Sequence, residues 1–507
     1  MEYDAIIIGS GLGGLSCAAC LSLKGWKVLV LEKHSKPGGY ATNFIRGDFT
    51  FDASLHMIPG VGKGQHHYRW FEWCGIADKI EFIKLKEFGR LVFPDYDIRL
   101  PSGDLAKIIS ILEEKFPHEK EGIKCLFNEM TKIHNDCIKF IFSNTPFWLQ
   151  LPVFPFRYKA LFHVLSKTGS QILDKYLKDE KLKALLFANW FFFGLPPSKL
   201  NSFFSVFPNM GYRILGAYYP KGSTQAIPNA FSDVIKENHG EIIFNSEATS
   251  IITQRGKAIG VKTRKGEKYF GKNVISNASA RETFYNLVGR EELPKRFIKK
   301  LEKMIPSISA FSVYLGLNNN FRRGLENKED YEIFFSETYD QDVDYAWSLN
   351  GNVEKASFVI SLYSNIDKSL AKGEKFILGL AMTQGYEYWK RFESDYISGR
   401  KDIYNKEKKR MAKILIERAE RVIPNISKHI EVMEVATPLT FKRYTGNYHG
   451  AIYGWANTVR QGNPIYRLKQ KTPIKNLYLS SAWTFPGEGQ LGVMMSGYRL
   501  GRMLTGK

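Results

Sequence analysis

The stretch Asp4-Ala-Ile-Ile-Ile-Gly-Ser-Gly-Leu-Gly-Gly14 runs a short apolar β-segment straight into Gly9, Gly11 and Gly14, and an alanine-rich helical segment follows at once. In that strand–turn–helix setting, G-x-G-x-x-G is a dinucleotide signature. Gly9 permits the tight turn off the strand, Gly11 lets the backbone approach a pyrophosphate, and Gly14 lets the helix pack close to the sheet. The phosphates would then sit at the positive end of the helix dipole and take its free N–H groups. A second strand, Lys27-Val-Leu-Val-Leu-Glu-Lys33, brings Glu32 eighteen residues beyond Gly14, placed to accept the ribose hydroxyls of an adenosine. The plainer reading of the same stretch is a parallel strand ending in a surface Glu-Lys pair. After Lys36-Pro37 come Gly38 and Gly39, a second close backbone approach that points to FAD more than to NAD.

The chain has 507 residues, enough for two or more intertwined domains rather than one core. Its net charge is +21, from 72 basic and 51 acidic side chains. No helix-turn-helix, zinc-finger or RNA-binding pattern accompanies that charge, so an anionic membrane surface is expected as partner and nucleic acid is not. Basic residues sit beside aromatics, as in Phe154-Pro-Phe-Arg-Tyr-Lys159, and aromatic content is high at 14%. The start, Met1-Glu-Tyr-Asp4, carries no secretory pattern, and no run approaches the roughly twenty apolar residues of a spanning helix. Five cysteines are present; Cys17 and Cys20 form a C-x-x-C inside the first helix, where small packing residues are expected and no metal site is. A cytoplasmic location with peripheral membrane association is expected.

Along the chain, residues 1–60 alternate strand, helix, strand and turn, ending in the strand Asp48–Asp52. Residues 76–216 become helical and aromatic, with a polar-poor, proline-broken stretch from Ile138 to Phe156 and a cluster Asn189-Trp-Phe-Phe-Phe-Gly-Leu195. Such segments suit a greasy tunnel, a bilayer contact or a buried helical core. A helix from Asn229 to Asn238 precedes further strands between Gly240 and Asn277 that join the first sheet, and a lysine-rich helix is expected from Asn405 to Val422. Near the carboxyl end, the strand Asn476–Ala482 feeds the loop Trp483-Thr-Phe-Pro-Gly-Glu-Gly-Gln-Leu-Gly492 and then a helix. A glycine loop at a helix N-terminus can stabilise charge on a flavin ring edge.

These residues together resemble the phytoene desaturase superfamily, and within it the carotenoid isomerase and retinol saturase branch. The resemblance rests on Gly9–Gly14, Leu31-Glu-Lys33 with Gly38-Gly39, Gly47-Asp-Phe-Thr-Phe-Asp52, Pro220-Lys-Gly-Ser223 and Asn273-Val-Ile-Ser-Asn277. It continues through Thr437–Thr440, Arg443-Tyr-Thr-Gly446, Gly450–Gly454 and Phe485-Pro-Gly-Glu-Gly-Gln-Leu-Gly-Val493. It implies an α/β protein: a Rossmann-like, amine-oxidase-like FAD-binding domain with an interleaved mixed α+β substrate domain. The FAD domain is expected to comprise 1–75, 218–290 and 431–507, and the substrate-binding, membrane-facing domain 76–217 and 291–430. By position, Gly9, Gly11, Gly14, Glu32, Lys33, Gly38 and Gly39 would hold adenosine and pyrophosphate. Ala248 would lie near the adenine, and Gly489, Gly492 and Val493 would abut the flavin.

The resemblance implies chemistry on a carbon–carbon double bond of a lipophilic polyene or isoprenoid, with retinol-saturase-like reduction preferred. Carotenoid cis/trans isomerisation or desaturation on the same flavin is the alternative, and a non-catalytic, FAD-containing lipid carrier is a third. Two departures from the family pattern supply candidate catalytic residues. After Phe51-Asp52 the chain reads Ala53-Ser-Leu-His-Met57, which puts His56 near the flavin face as a proton donor or as a structural histidine. Glu488 stands in the flavin loop as a second proton donor or as a surface acid. No second glycine motif in strand–helix context marks an NAD(P) site, which leaves the electron donor or acceptor to an external partner or a quinone.

Overall fold

The Ala-Ile-Ile-Ile run lies within the strand Glu2–Ile8, and Ala5 to Ile8 are all buried, as an uninterrupted apolar strand covered on both faces requires. The computed structural model describes residues 2–54, 56–143, 147–323 and 330–506. Leu55 in the His56 segment, and residues 144–146 of the polar-poor stretch, fall outside them. Glu2–Ile8 pairs in parallel with Val28–Leu31 on one side and with Lys268–Ser276 on the other. Glu241–Ile243 extends the sheet beyond Val28–Leu31, and Leu477–Leu479 pairs in parallel with the end of Lys268–Ser276. Lys257–Thr263 and Ala248–Gln254 add antiparallel strands, giving seven in all. The strands between 240 and 277 thus join the sheet begun by the first glycine motif.

The helix Leu12–Ser22 leaves this sheet at Gly11 and is buried along its whole length. A Cβ on Gly14 would stand 2.4 Å from the Gly9 carbonyl oxygen, so only glycine allows this approach of helix to strand. The helix Gln490–Thr505 lies against it: a Cβ on Gly497 would meet the Gly13 carbonyl oxygen at 2.2 Å. Ser16 Oγ donates to the Met494 carbonyl at 2.7 Å across the same seam. Cys17 and Cys20 are buried here, and burial pushes the Cys20 thiol up to about 11, the behaviour of a packing residue.

A second seven-stranded sheet runs in the order Ile430–Ala436, Ser309–Leu317, Phe376–Gln384, Phe358–Ser361, Glu332–Phe335, Glu87–Phe93 and Tyr96–Pro101. Its neighbours are antiparallel, except that Glu332–Phe335 and Glu87–Phe93 run parallel. Two of these strands come from the stretch whose composition reads as helical. Glu87–Phe93 buries Phe88, Leu91 and Phe93, while its Arg90 guanidinium is held by Asp97 and Asp330. The remainder of that stretch is helical, including Leu105–Lys115, Lys120–Ile141 and Ser202–Leu215. The Asp104 carboxylate caps the first of these by accepting from the Lys107 N–H.

Two helices sit a turn earlier than the sequence pattern suggests. The first spans Ala226–Glu237, because Pro228 is tolerated in its opening turn. The lysine-rich helix spans Asp402–Ala419, with Asp402 at the positive end of its dipole. It presses Met411, Leu415 and Ile416 into the core of the second sheet. Among the described residues, no helix is long and apolar enough to cross a membrane.

Candidate active site

A cavity of about 490 Å³ runs between the two sheets, walled by Gly9 and Glu32 from the first and by Ser312, Val359 and Thr383 from the second. Its outer part is the cleft at the first glycine turn. Gly9, Gly38 and Gly39 all have positive φ, at 88°, 132° and 62°. The two glycine loops touch, since a Cβ on Gly39 would lie 3.2 Å from Gly11 Cα and the Gly38 N–H donates to the Ser10 carbonyl. Side chains at these positions would fill the groove. Among the described residues no side chain caps helix Leu12–Ser22 at Gly11, which leaves its first N–H groups open to an anion.

Glu32 is buried on the cleft wall at the end of Val28–Leu31. Its Oε2 accepts from the Ser10 N–H at 2.7 Å and from Ser10 Oγ at 2.6 Å; its Oε1 accepts from the His34 N–H at 2.8 Å. Lys33 also lines the cleft; its Nζ donates to the Arg443 carbonyl at 3.4 Å, and burial pulls its pKa below the ordinary lysine value. Ala248 stands on the same wall. This end therefore offers the Glu32 carboxylate, with Glu247 and Glu282 also in the wall, the cations of Lys33 and Arg443, and backbone donors, among which a ribose and a diphosphate find partners.

The inner part of the cavity is lined by Tyr40, His56, Phe191, Phe192, Ile452 and Tyr453. Gly489, Gln490 and Val493 close it from the second glycine loop. Gly489 has φ of 76°, open space where a Cβ would be, and no side-chain cap on the helix Gln490–Thr505 that it starts. A second uncapped helix N-terminus thus opens on the same cavity. The glycine cleft and this loop open on one cavity, and both offer backbone donors of the kind a flavin dinucleotide would take.

Gly14, Gly492 and Glu488 are not in the cavity wall. Gly14 serves the helix–strand approach, and Gly492 sits where a Cβ would meet the Gly487 carbonyl oxygen at 3.2 Å. The carboxyl oxygens of Glu488 are out of contact with solvent, with Arg467 and Asn457 beside them. Burial pushes this carboxyl up to about 8, opposed by the Arg467 charge and the Asn457 side chain. Arg467 itself is fully buried and donates to Asn457 Oδ1 at 2.7 Å, with its guanidinium against the face of Phe204.

His56 does line the cavity, with its ring stacked on Phe192 at 5.3 Å. Its Nδ1 lies 2.8 Å from Glu332 Oε1 and 3.0 Å from Ser361 Oγ. Nearby Asp52 is buried, and desolvation pushes its carboxyl up to about 7 against the hydrogen bonds from Tyr219 Oη and the Thr224 N–H. Sequence reasoning missed Glu332, and it carried Tyr453 and Asn277 only inside matching motifs, without a role. A Cβ on Gly11 would collide with Asn277 Oδ1 at 2.4 Å, so Asn277 braces the first glycine turn. Its position at the end of the third parallel strand was the available signal.

Residues 12–364 match the family of flavin containing amine oxidoreductases. The prolycopene isomerase of Daucus carota is 31% identical over 510 residues, covering 98% of this chain and 79% of that one. The all-trans-retinol 13,14-reductase of Rattus norvegicus is 26% identical over 515 residues, covering 94% and 82%. An oxidoreductase from Methanosarcina mazei of known structure superposes with a TM-score of 0.61 at 19% identity, over the whole of both chains, and shares the fold. With its two glycine loops opening on one cavity between two sheets, the chain belongs to the flavin-containing amine oxidoreductase family, in the carotenoid isomerase and retinol saturase branch of the phytoene desaturase superfamily.

Proposed function

We propose that the protein binds FAD without a covalent link and acts on a carbon–carbon double bond of a lipophilic polyene or isoprenoid, most simply by reducing it. One observation carries the reading: the nucleotide cleft continues without a break into a chamber walled by Phe191, Phe192, Val359, Met382 and Ile452, with the imidazole of His56 in its wall. An apolar chamber with so few polar groups selects an apolar substrate. FAD, when bound, supplies hydride exchange with carbon. The Glu32 carboxylate would take the ribose, the Leu12–Ser22 N-terminus the diphosphate, and the Gly489 loop the ring. The Phe and Ile walls exclude water from the reacting bond, and His56 handles the proton that double-bond reduction consumes.

Isomerisation is the second reading, favoured by the likeness to prolycopene isomerase along 98% of this chain. Product mass separates the two. Reduced protein incubated with retinoids and poly-cis carotenoids should yield a product two hydrogens heavier. A product of unchanged mass with a shifted absorption spectrum overturns the reductase reading in favour of isomerisation. Lipid bound without turnover, on a flavin that cannot be cycled, overturns both in favour of a carrier.

The substrate would be drawn from a bilayer. Leu149, Val153, Phe156 and Phe162 are exposed on consecutive short helical turns, with Phe156 85% exposed. Exposed Arg157 and Lys159 flank them. Apolar side chains rimmed by cations are what an anionic membrane surface accepts.

A further inference from the structure

The chamber's imidazole is held by a carboxylate that no local sequence pattern marks. Glu332 opens the strand Glu332–Phe335, pairs across the second sheet directly opposite Ser361, and is 1% exposed. Ser361 Oγ donates to Glu332 Oε1 at 3.1 Å, and His56 Nδ1 approaches both that oxygen at 2.8 Å and Ser361 Oγ at 3.0 Å. The serine hydroxyl has one hydrogen, and it goes to the carboxylate. A carboxylate only accepts. Nδ1 must therefore carry the hydrogen that both oxygens receive. The hydroxyl of Tyr331, the residue before Glu332, donates to the His56 carbonyl and fixes the backbone on the same side. Phe192 fixes the plane of the ring. Nε2 is left as the nitrogen available to the cavity.

Burying Glu332 costs desolvation that a leucine would avoid, and its Oε2 has no hydrogen-bond partner among the described residues. The other ionisable groups around the pair are Asp52 and the phenols of Tyr212, Tyr331 and Tyr363. Burial raises all three phenols, so they stay uncharged near neutrality. Glu332 is the acid in direct contact with the ring.

We propose that Glu332 is a positioning residue: it holds His56 as the Nδ1–H tautomer and presents Nε2 to the chamber as the site where a proton is given or taken. The role of that proton rests on the double-bond reading above; the tautomer does not.

Solid-state ¹⁵N NMR of the flavin-loaded full chain, labelled at histidine, reads the tautomer without substrate. The His56 signal is identified by its absence in His56→Gln. In the wild-type neutral ring, Nδ1–H should exceed Nε2–H by about tenfold or more, the ratio that one buried hydrogen bond to a charge supplies. Glu332→Leu should collapse that ratio to near parity, while Ser361→Ala should leave it largely intact. A wild-type ring protonated at Nε2 overturns the proposal even if Glu332→Leu does not fold. So does a ratio unchanged in Glu332→Leu, or one lost in Ser361→Ala, which would give the role to the serine. Turnover of a polyene is scored separately: an Nδ1–H ring in a protein inert towards polyenes removes the double-bond chemistry and keeps the positioning role.

Discussion

Both carboxylate oxygens of Glu32 are already engaged by Ser10 and His34. An ionised carboxylate has about four acceptor sites, so these bonds orient it and leave little capacity spare. Glu32→Lys should cut the flavin retained through purification by about tenfold, read as the ratio of flavin to protein absorbance, because it removes a charge-assisted bond and strands three donors. Asp52 makes a prediction about pH. Its carboxyl holds a proton up to about pH 7 in the fold, against an ordinary value of 3.8. The native state therefore binds more protons than the unfolded chain between about pH 4 and 7, and this contribution to stability falls as pH rises through that window. Buried His67 and His134, both pulled down to about 4, act with the opposite sign. Thermal melts of wild type against Asp52→Asn isolate the aspartate, and the advantage of wild type should shrink steadily from pH 4.5 to 7.5. Glu32 and the glycines were legible because a local spacing encodes their task. Glu332 was not, because its meaning comes from His56 and Ser361, which only the folded sheet brings to it.

The two helices that start at the glycine loops pack with almost no space between them. Gly497→Val would drive a side chain into the Gly13 carbonyl, 2.2 Å from where its Cβ would stand, and the Cys17 amide nitrogen at 2.7 Å. Overpacking of this kind costs about 1–3 kcal/mol, so the variant should melt several degrees lower and lose flavin as the first turn shifts. Gly266→Ala, at a turn with open space around the glycine but φ of 87°, tests strain without crowding and should leave flavin content unchanged. Elements marked by a continuous local apolar run beside a glycine turn, such as Glu2–Ile8 and Leu12–Ser22, were readable from sequence. Glu87–Phe93 and Tyr96–Pro101 were hidden inside a helical stretch. Their pairing partner Glu332–Phe335 is remote in sequence, and Arg90 and Arg99 break the apolar signal by meeting Asp330 across the sheet.

The whole molecule combines a net charge of +21 with an exposed apolar face at Leu149, Val153, Phe156 and Phe162. Vesicles containing anionic lipid should float the protein, and added salt should release part of it, leaving the fraction held by Phe156 and its neighbours. Phe156→Glu should lower the floated fraction several-fold at any salt; equal flotation would detach that face from the membrane reading. The interleaving of sheets was legible only as alternation along the chain, since strand order depends on contacts that no window contains. That interleaving also has a consequence in time. Ser480 Oγ donates to the Gly13 carbonyl at 2.7 Å, and Gly497 seals the other side of that turn. The first glycine loop is thus braced by residues that leave the ribosome about a minute after it does. A nascent chain arrested before residue 477 lacks both Ser480 and Gly497, and it should retain no flavin, read as flavin absorbance of the arrested complex.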